Sequence, residues 1–153
     1  MAVLVVPAPA ALKAHLNTEV GVTEYLEVSQ DRIDRFAELT EDRQWIHTDA
    51  DRARRESPYG TTVAHGFLTL AFLSRFLTST VQVEGTRLLV SYGLTSVRFM
   101  QPVPAGGRIR ARVRLRECTE EHDFVQATWR LTIECEGQRH ASCVADWVVR
   151  YHP

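Results

Sequence analysis

Between Arg108 and Arg116 arginine alternates with Ile109, Ala111, Val113 and Leu115, a period of two that puts a basic row on one face of a strand and an apolar row on the other. Strand signals run almost unbroken through the second half of the chain: Arg87 to Tyr92, Leu94 to Phe99, Gly107 to Glu117, Phe124 to Cys135 and His140 to Tyr151. Turn chemistry separates them. Pro102-Val103-Pro104-Ala105-Gly106-Gly107 and Thr119 to Asp123 divide successive strands, and Glu136-Gly137-Gln138 predicts a tight hairpin. Ahead of this block Val20, Val22, Tyr25, Leu26 and Val28 predict one short strand over Glu19 to Val28, whose alternation slips once.

A helical period takes over at Ser29, a capping residue for a helix from Gln30 to Thr40 with Ile33, Phe36, Ala37 and Thr40 on one face and Asp31 near its start. Thr48 or Asp49 can cap a second, short helix through Ala53 to Glu56, which Ser57-Pro58-Tyr59-Gly60 stops. From His65 to Thr78, Phe67, Leu68, Leu70, Ala71, Phe72, Leu73, Phe76 and Leu77 cover nearly the full circumference of a helix, which predicts burial on most sides. A two-faced antiparallel sheet and one apolar helix share a solution in which the sheet wraps the helix. Met1 to Leu12 is uncharged, has no Lys or Arg ahead of it and is broken by Pro7 and Pro9. Residues 1–18 are therefore expected to be a mobile N-terminal tail, and residues 19–153 one domain.

Composition narrows the partners. With 18 Lys+Arg against 19 Asp+Glu there is no bulk pull toward nucleic acid or an anionic membrane, and the expected partner is a small molecule. The apolar helix falls short of the roughly 20 residues a bilayer requires. Cys118, Cys135 and Cys143 sit in strand-like segments without zinc or disulfide spacing, as expected of buried thiols in the cytoplasm.

Two short stretches carry candidate chemistry: Asp42-Arg43-Gln44-Trp45-Ile46-His47, just past the first helix, and Ala64-His65-Gly66-Phe67, at the head of the apolar one. A carboxylate and an imidazole five residues apart, where the backbone need not be helical, can turn into one cleft and do acid–base work on water. On spacing alone, the reading in which Asp42 caps or terminates the helix and His47 is a loop histidine stands ahead, because short motifs recur by chance.

Surrounding residues extend the pattern. Asp42, four residues, His47, five more and Ala53 form one spacing. Phe36-Ala37-Glu38-Leu39-Thr40, Ala64-His65-Gly66-Phe67, and Val97-Arg98-Phe99 followed by Pro102-Val103 and Gly106 accompany it. Over about Val20 to Tyr151 the chain resembles the MaoC-like (R)-specific enoyl-CoA hydratase/dehydratase family. That family usually has Gly before the Asp and Asn-Pro in the middle, where this chain has Glu41 and Gln44-Trp45, a version similar to the nodulation protein N subgroup.

The resemblance implies an α+β hotdog fold: a curved antiparallel sheet of about five strands around the helix starting near His65, with Gln30 to Gly60 overhanging. It implies reversible hydration of a trans-2-enoyl-CoA to a (3R)-3-hydroxyacyl-CoA, with coenzyme A as part of the substrate and no metal or other cofactor. Asp42 and His47 would be catalytic, the Gly66 amide would bind the thioester oxygen, and Ser74 would support Asp42. A homodimer follows from the family and from the need to cover a sheet edge.

Several readings stay open at this level. Ser74 could instead bond its own helix carbonyl, and His65 is expected to be a hydrogen-bonded residue under the loop rather than a catalytic one. Asp, with an ordinary pKa of about 3.9, needs burial to rival His, at about 6.5, as the base. Arg98 and Arg87 are candidates for the coenzyme A phosphates, and the basic face of Arg108 to Arg116 reads as a solvated sheet face. Trp129 and Trp147 read as packing residues, with Trp45 near enough to line a cleft. Chain length is expected to depend on how Ala50 to Gly60 packs over the apolar helix. A hotdog thioesterase is disfavoured because Gly66 to Thr80 contains no carboxylate. A non-catalytic acyl-CoA-binding protein is the remaining alternative.

Overall fold

The computed structural model describes residues 3–153. The chain begins with β1 (Leu4–Val6) and a 3-10 helix at Pro9–His15, followed by β2 (Glu19–Val22) and β3 (Leu26–Val28). It then leaves the sheet for α1 (Gln30–Thr40), α2 (Trp45–Thr48) and α3 (Ala50–Glu56). The central helix follows as α4 (Gly66–Ala71) and α5 (Leu73–Thr80), leading into β4 (Val81–Val83). Four long strands close the chain: β5 (Leu88–Phe99), β6 (Gly107–Glu120), β7 (Val125–Cys135) and β8 (Cys143–His152).

The main sheet runs β2-β6-β7-β8-β5, with β3 also paired to β6, and every neighbour is antiparallel. It is the hotdog arrangement. On β6 the predicted apolar row, Ile109, Ala111, Val113 and Leu115, is fully buried, and β7 and β8 add Trp129, Leu131, Ile133, Trp147 and Tyr151. Leu68, Leu73, Phe76 and Leu77 of the central helix complete the core. Trp129 Nε1–H donates to the Tyr151 hydroxyl at 2.9 Å, so the core's indole N–H is satisfied.

The opposite, basic face is paired across strands. Arg110 and Arg112 both meet the Glu134 carboxylate, at 3.0 and 2.7 Å, and Arg130 holds Asp146 through two bonds of 2.8 and 2.6 Å. Burial alone would raise the Glu134 pKa, but the hydrogen bonds and charges of Arg112 and Arg110 outweigh it and hold that carboxyl below the usual range. The reading of this row as a solvated sheet face therefore stands.

Caps fall where the sequence puts them. Ser29 Oγ accepts from Arg32 N–H at 3.4 Å, and Asp49 Oδ1 from Arg52 N–H at 2.9 Å. Other boundaries move. The single strand expected over Glu19 to Val28 is two, because Thr23 between them turns its own backbone and hydroxyl onto Ala111: N–H to Ala111 O at 2.9 Å, and Ala111 N–H to Thr23 Oγ1 at 2.9 Å. That local bonding is the slip in the alternation. Conversely, the strands expected over Arg87 to Tyr92 and Leu94 to Phe99 are one strand, β5, with register shifts at Ser91/Gly93 and Leu94/Ser96. The hairpin after β7 is not tight: Gly137 takes a positive φ, but β8 waits until Cys143 while Gln138 Nε2 reaches Pro102 O at 2.8 Å.

Two expectations about the helices and the N-terminus are corrected. The apolar helix is interrupted at Phe72, whose N–H bonds back to Thr69 O at 3.3 Å, and it is not buried on most sides. The sheet covers only one flank, leaving a stripe of Phe67, Ala71 and Ser74 exposed, with Phe67 at 71%. The segment expected as a mobile tail is packed instead. β1 pairs in parallel with β4, and Val6 and Leu12 are fully buried. An uncharged run gains more by burial than by solvation, and Pro9 begins the 3-10 helix rather than ending the structure. Met1 and Ala2 lie outside the described residues. Among the described residues no helix is long and apolar enough to cross a membrane.

Candidate active site

Glu41 ends α1 in the left-handed region, φ 62° and ψ 12°. This is the position where the resembled family carries glycine, the residue that takes such a conformation without a Cβ penalty. The turn it makes throws Asp42 clear of the helix, with its side chain exposed. α2 then places His47 on a helix of four residues, far too short to hold itself together.

Tertiary bonds hold it. Val63 N–H donates to Ile46 O at 3.1 Å, and His47 Nδ1 donates to Val63 O at 2.7 Å. From α1, the Gln30 amide donates to His47 O at 2.7 Å and to Asp34 Oδ1 at 2.8 Å, while its Oε1 accepts the Thr62 hydroxyl at 2.5 Å. Flipping that amide would turn an oxygen onto a carbonyl and a carboxylate, so the orientation is dictated by its partners. Neither Gln30 nor Thr62 was singled out from the sequence. Their partners lie 17 and 32 residues away, and no local pattern marks them.

A carbonyl can only accept, so His47 Nδ1 carries the hydrogen and the neutral ring presents its lone pair at Nε2. Burial pushes the His47 pKa below its ordinary value and the proximity of His65 adds to this; the Val63 carbonyl and Asp42 pull the other way without overcoming it. At neutral pH His47 is a proton acceptor. His65 is 3% exposed, and its ring stacks on that of His47, centroids 3.8 Å apart and planes 25° from parallel, with Phe36 tilted against it at 5.0 Å. His65 Nε2 donates to the Asp42 backbone carbonyl at 2.9 Å, the role under the loop that the sequence suggested.

Asp42, His47 and His65 bring ligand-type atoms within 4.8 Å of one another. The stacked rings make this a poor metal site, because their in-plane lone pairs run side by side instead of converging on one ion. Two of the four ring nitrogens are already committed to carbonyls.

Gly66 opens α4, where the first-turn N–H has no intrahelical acceptor. A Cβ here would meet the Phe99 ring at 3.2 Å, so the small residue also permits close approach of β5. Ala64 N–H to Val103 O, at 2.8 Å, fixes the segment ahead of it. Gly66 borders a cavity of about 250 Å³ with Tyr59, Phe99 and Val103. A larger one, about 590 Å³, lies between α1 and the central helix. Phe36, Phe67, Leu70, Leu94 and Trp147 make it apolar.

Ser74 lines this cavity and makes no side-chain hydrogen bond to Asp42 among the described residues, nor to its own helix carbonyls. The larger cavity is walled by Phe36 and Thr40 of α1, not by Ala50 to Gly60 as expected; from that segment only Tyr59 borders either cavity. Trp147 lines the larger cavity with its Nε1–H on Ser91 Oγ at 2.8 Å, so it does more than pack. Trp45 lines neither cavity, and the Arg52 guanidinium covers its ring at 4.4 Å. Arg98 adjoins Phe99 at the Gly66 end of β5; Arg87 precedes the other end, roughly 35 Å away along the strand.

Known proteins are similar to this chain in sequence and fold. The MaoC like domain family model matches residues 11–135, beginning inside the segment expected to be a tail. The chain is 43% identical over 143 residues to 3-hydroxyacyl-thioester dehydratase Z of Mycobacterium tuberculosis, covering 93% of this chain and 94% of that protein. It is 38% identical over 141 residues to nodulation protein N of Rhizobium leguminosarum, covering 91% and 88%. The solved (R)-hydratase from A. caviae involved in PHA biosynthesis superposes with a TM-score of 0.72 at 22% identity, over 87% of this chain and 96% of that one. The chain belongs to the MaoC-like dehydratase family.

Proposed function

We infer that the protein is a hydro-lyase that interconverts 3-hydroxyacyl and 2-enoyl thioesters by loss and gain of water, with (R) stereochemistry at C3 and coenzyme A as a carrier it accepts. The observation that carries this is the pairing of Asp42 with a neutral His47 whose Nε2 lone pair is free, one short segment away from the unpartnered first-turn amide of Gly66.

In the dehydration direction His47 Nε2 takes the proton from C2 of the 3-hydroxyacyl thioester. Negative charge builds on the thioester oxygen, where the Gly66 N–H donates to it; such a donor is worth about 3 kcal/mol of barrier. The C3–O bond breaks as the proton is passed through the His47/Asp42 pair to the leaving hydroxyl, which departs as water. Hydration is the reverse: the His47/Asp42 pair takes a proton from the water as its oxygen adds at C3, and His47 returns a proton to C2. The apolar cavity of about 590 Å³ suits the acyl chain, within the usual range for small-ligand sites. The carboxylate of a thioesterase is absent from α4 and α5, which disfavours hydrolysis.

The active form we propose is a homodimer. β5 is one edge of the sheet, and Leu94 on it and Phe67 beside it are exposed apolar residues lining the larger cavity, with exposed Phe99 at the smaller one. A second copy would cover the edge and close the cavity. A monomeric sedimentation mass with full turnover would rule this out.

The test of the activity is loss of conjugated-enoyl absorbance from crotonyl-CoA and from a longer trans-2-enoyl-CoA, with chiral analysis of the product and the same acyl groups on acyl carrier protein. A (3R) alcohol from either carrier supports the reading, and the ratio of rates identifies the preferred one. A folded protein that turns over neither overturns it, and release of free thiol would indicate a thioesterase.

A further inference from the structure

We propose that His65 is a positioning residue, holding Asp42 and His47 at their working separation through two different parts of one ring. The inference rests on the hydro-lyase reading for its catalytic consequence, but its structural content stands apart from it.

His65 Nε2–H donates to the Asp42 carbonyl at 2.9 Å. Among the described residues this is the one hydrogen bond that reaches Asp42 from outside its own loop. The face of the same ring stacks on His47 at 3.8 Å. Two residues earlier on the same segment, the Val63 carbonyl takes the His47 Nδ1–H. The stretch Val63-Ala64-His65 thus grips His47 by its edge and its face, and ties Asp42 by its backbone. That stretch is itself anchored at Ala64 to Val103, and it leads directly into the Gly66 amide. Asp42, His47 and Gly66, which the sequence separates into two motifs, are gathered by one imidazole.

The ring's remaining nitrogen shows that this arrangement was not chosen for packing. With Nε2 committed as a donor to a carbonyl, the other ring nitrogen, Nδ1, is buried without a hydrogen-bond partner among the described residues. An unpaired buried polar atom lowers stability. A position that needed only a flat ring between Phe36 and His47 would be filled by phenylalanine at no such cost. What phenylalanine cannot supply is the N–H on Asp42.

Two substitutions separate the parts. His65→Phe keeps the stack, removes the orphaned nitrogen and loses the tether; His65→Gln keeps an N–H at the same reach and loses the stack. For His65→Phe the expected result is a melting temperature at or above that of the wild type, with kcat lower by about 10- to 100-fold and KM little changed, as for loss of a group that orients another. His65→Gln is expected to recover kcat to within about tenfold of the wild type. Amide hydrogen exchange over Asp42 to Gln44 reads the tether without any substrate: faster in His65→Phe, restored in His65→Gln. Unchanged exchange and kcat in His65→Phe would overturn the proposal, as would melting temperature and kcat falling together in both variants. If wild-type protein turned over no enoyl thioester, the hydro-lyase reading would fail while the exchange data still decided the tether.

Discussion

The ion-paired side of the sheet and the side that faces α1 use polar groups in opposite ways. Across β6, β7 and β8 charge is matched laterally, with Glu134 serving Arg110 and Arg112 and Asp146 serving Arg130, and the apolar row beneath is closed. Around α2 and α4, groups are left unmatched among the described residues: Asp42 is exposed, His47 Nε2 keeps a lone pair, His65 Nδ1 has no partner, and the central helix shows an apolar stripe to a cavity. The first region is saturated and contributes stability. The second carries unmet hydrogen-bonding capacity, and it is where we propose that the chemistry takes place.

That contrast is broken or sharpened by changes placed on either side of it. His47→Gln and Asp42→Asn should each lower turnover by about 10²- to 10⁴-fold, the range for losing a proton-transfer group, with melting temperature unchanged. Loss of fold in parallel with activity would erase the distinction. Leu115→Ala, in the fully buried row of β6, should do the reverse: lose about 2–5 kcal/mol in urea unfolding while the remaining folded protein turns over normally.

The pH dependence discriminates more finely. Because burial lowers the His47 pKa, the acid limb of the hydration rate should lie below the ordinary histidine value of 6.5: His47 stays neutral down to its lowered pKa and loses its lone pair only beneath it. An acid limb above 6.5 would contradict the assigned environment. Glu134 behaves as a stability group instead. Its carboxyl is held low in the folded state, so its contribution is present above the ordinary carboxylate pKa and is lost as pH falls through the lowered one. Glu134→Gln should flatten that acid limb of stability, cost about 1 kcal/mol or less at neutral pH because the pair is partly exposed, and leave kcat alone.

The smallest change has the opposite sign. Glu41→Gly relieves a left-handed backbone position just ahead of Asp42 and should stabilise the fold by about 1 kcal/mol, measured by urea unfolding. A destabilised variant would mean that the glutamate side chain makes up for its backbone strain.

Much of this was legible along the chain because the physics is local. A period of two on β6, a capping serine ahead of α1 and an Asp–His spacing just past its end each depend on residues within a turn or a strand of one another. The slip near Tyr25 was also visible, but its cause was not, since Thr23 spends its bonds on Ala111 across the sheet. The N-terminal run reads as a tail for the same reason: its apolar residues have no strand to pair with until β4 supplies an edge 77 residues later.

Residue order alone dictated that a sheet would wrap an apolar helix and that a carboxylate and an imidazole would stand just past another helix. Periodicity and capping act over a few residues, and no folding partner is needed to read them. Which lone pair His47 presents, which ring stacks on it, where the apolar cavity opens and why Ser74 faces that cavity rather than Asp42 were settled by contacts across the fold. The Val63 carbonyl, the Gln30 amide and the His65 ring lie 16 to 18 residues from His47, and only three-dimensional packing brings them together.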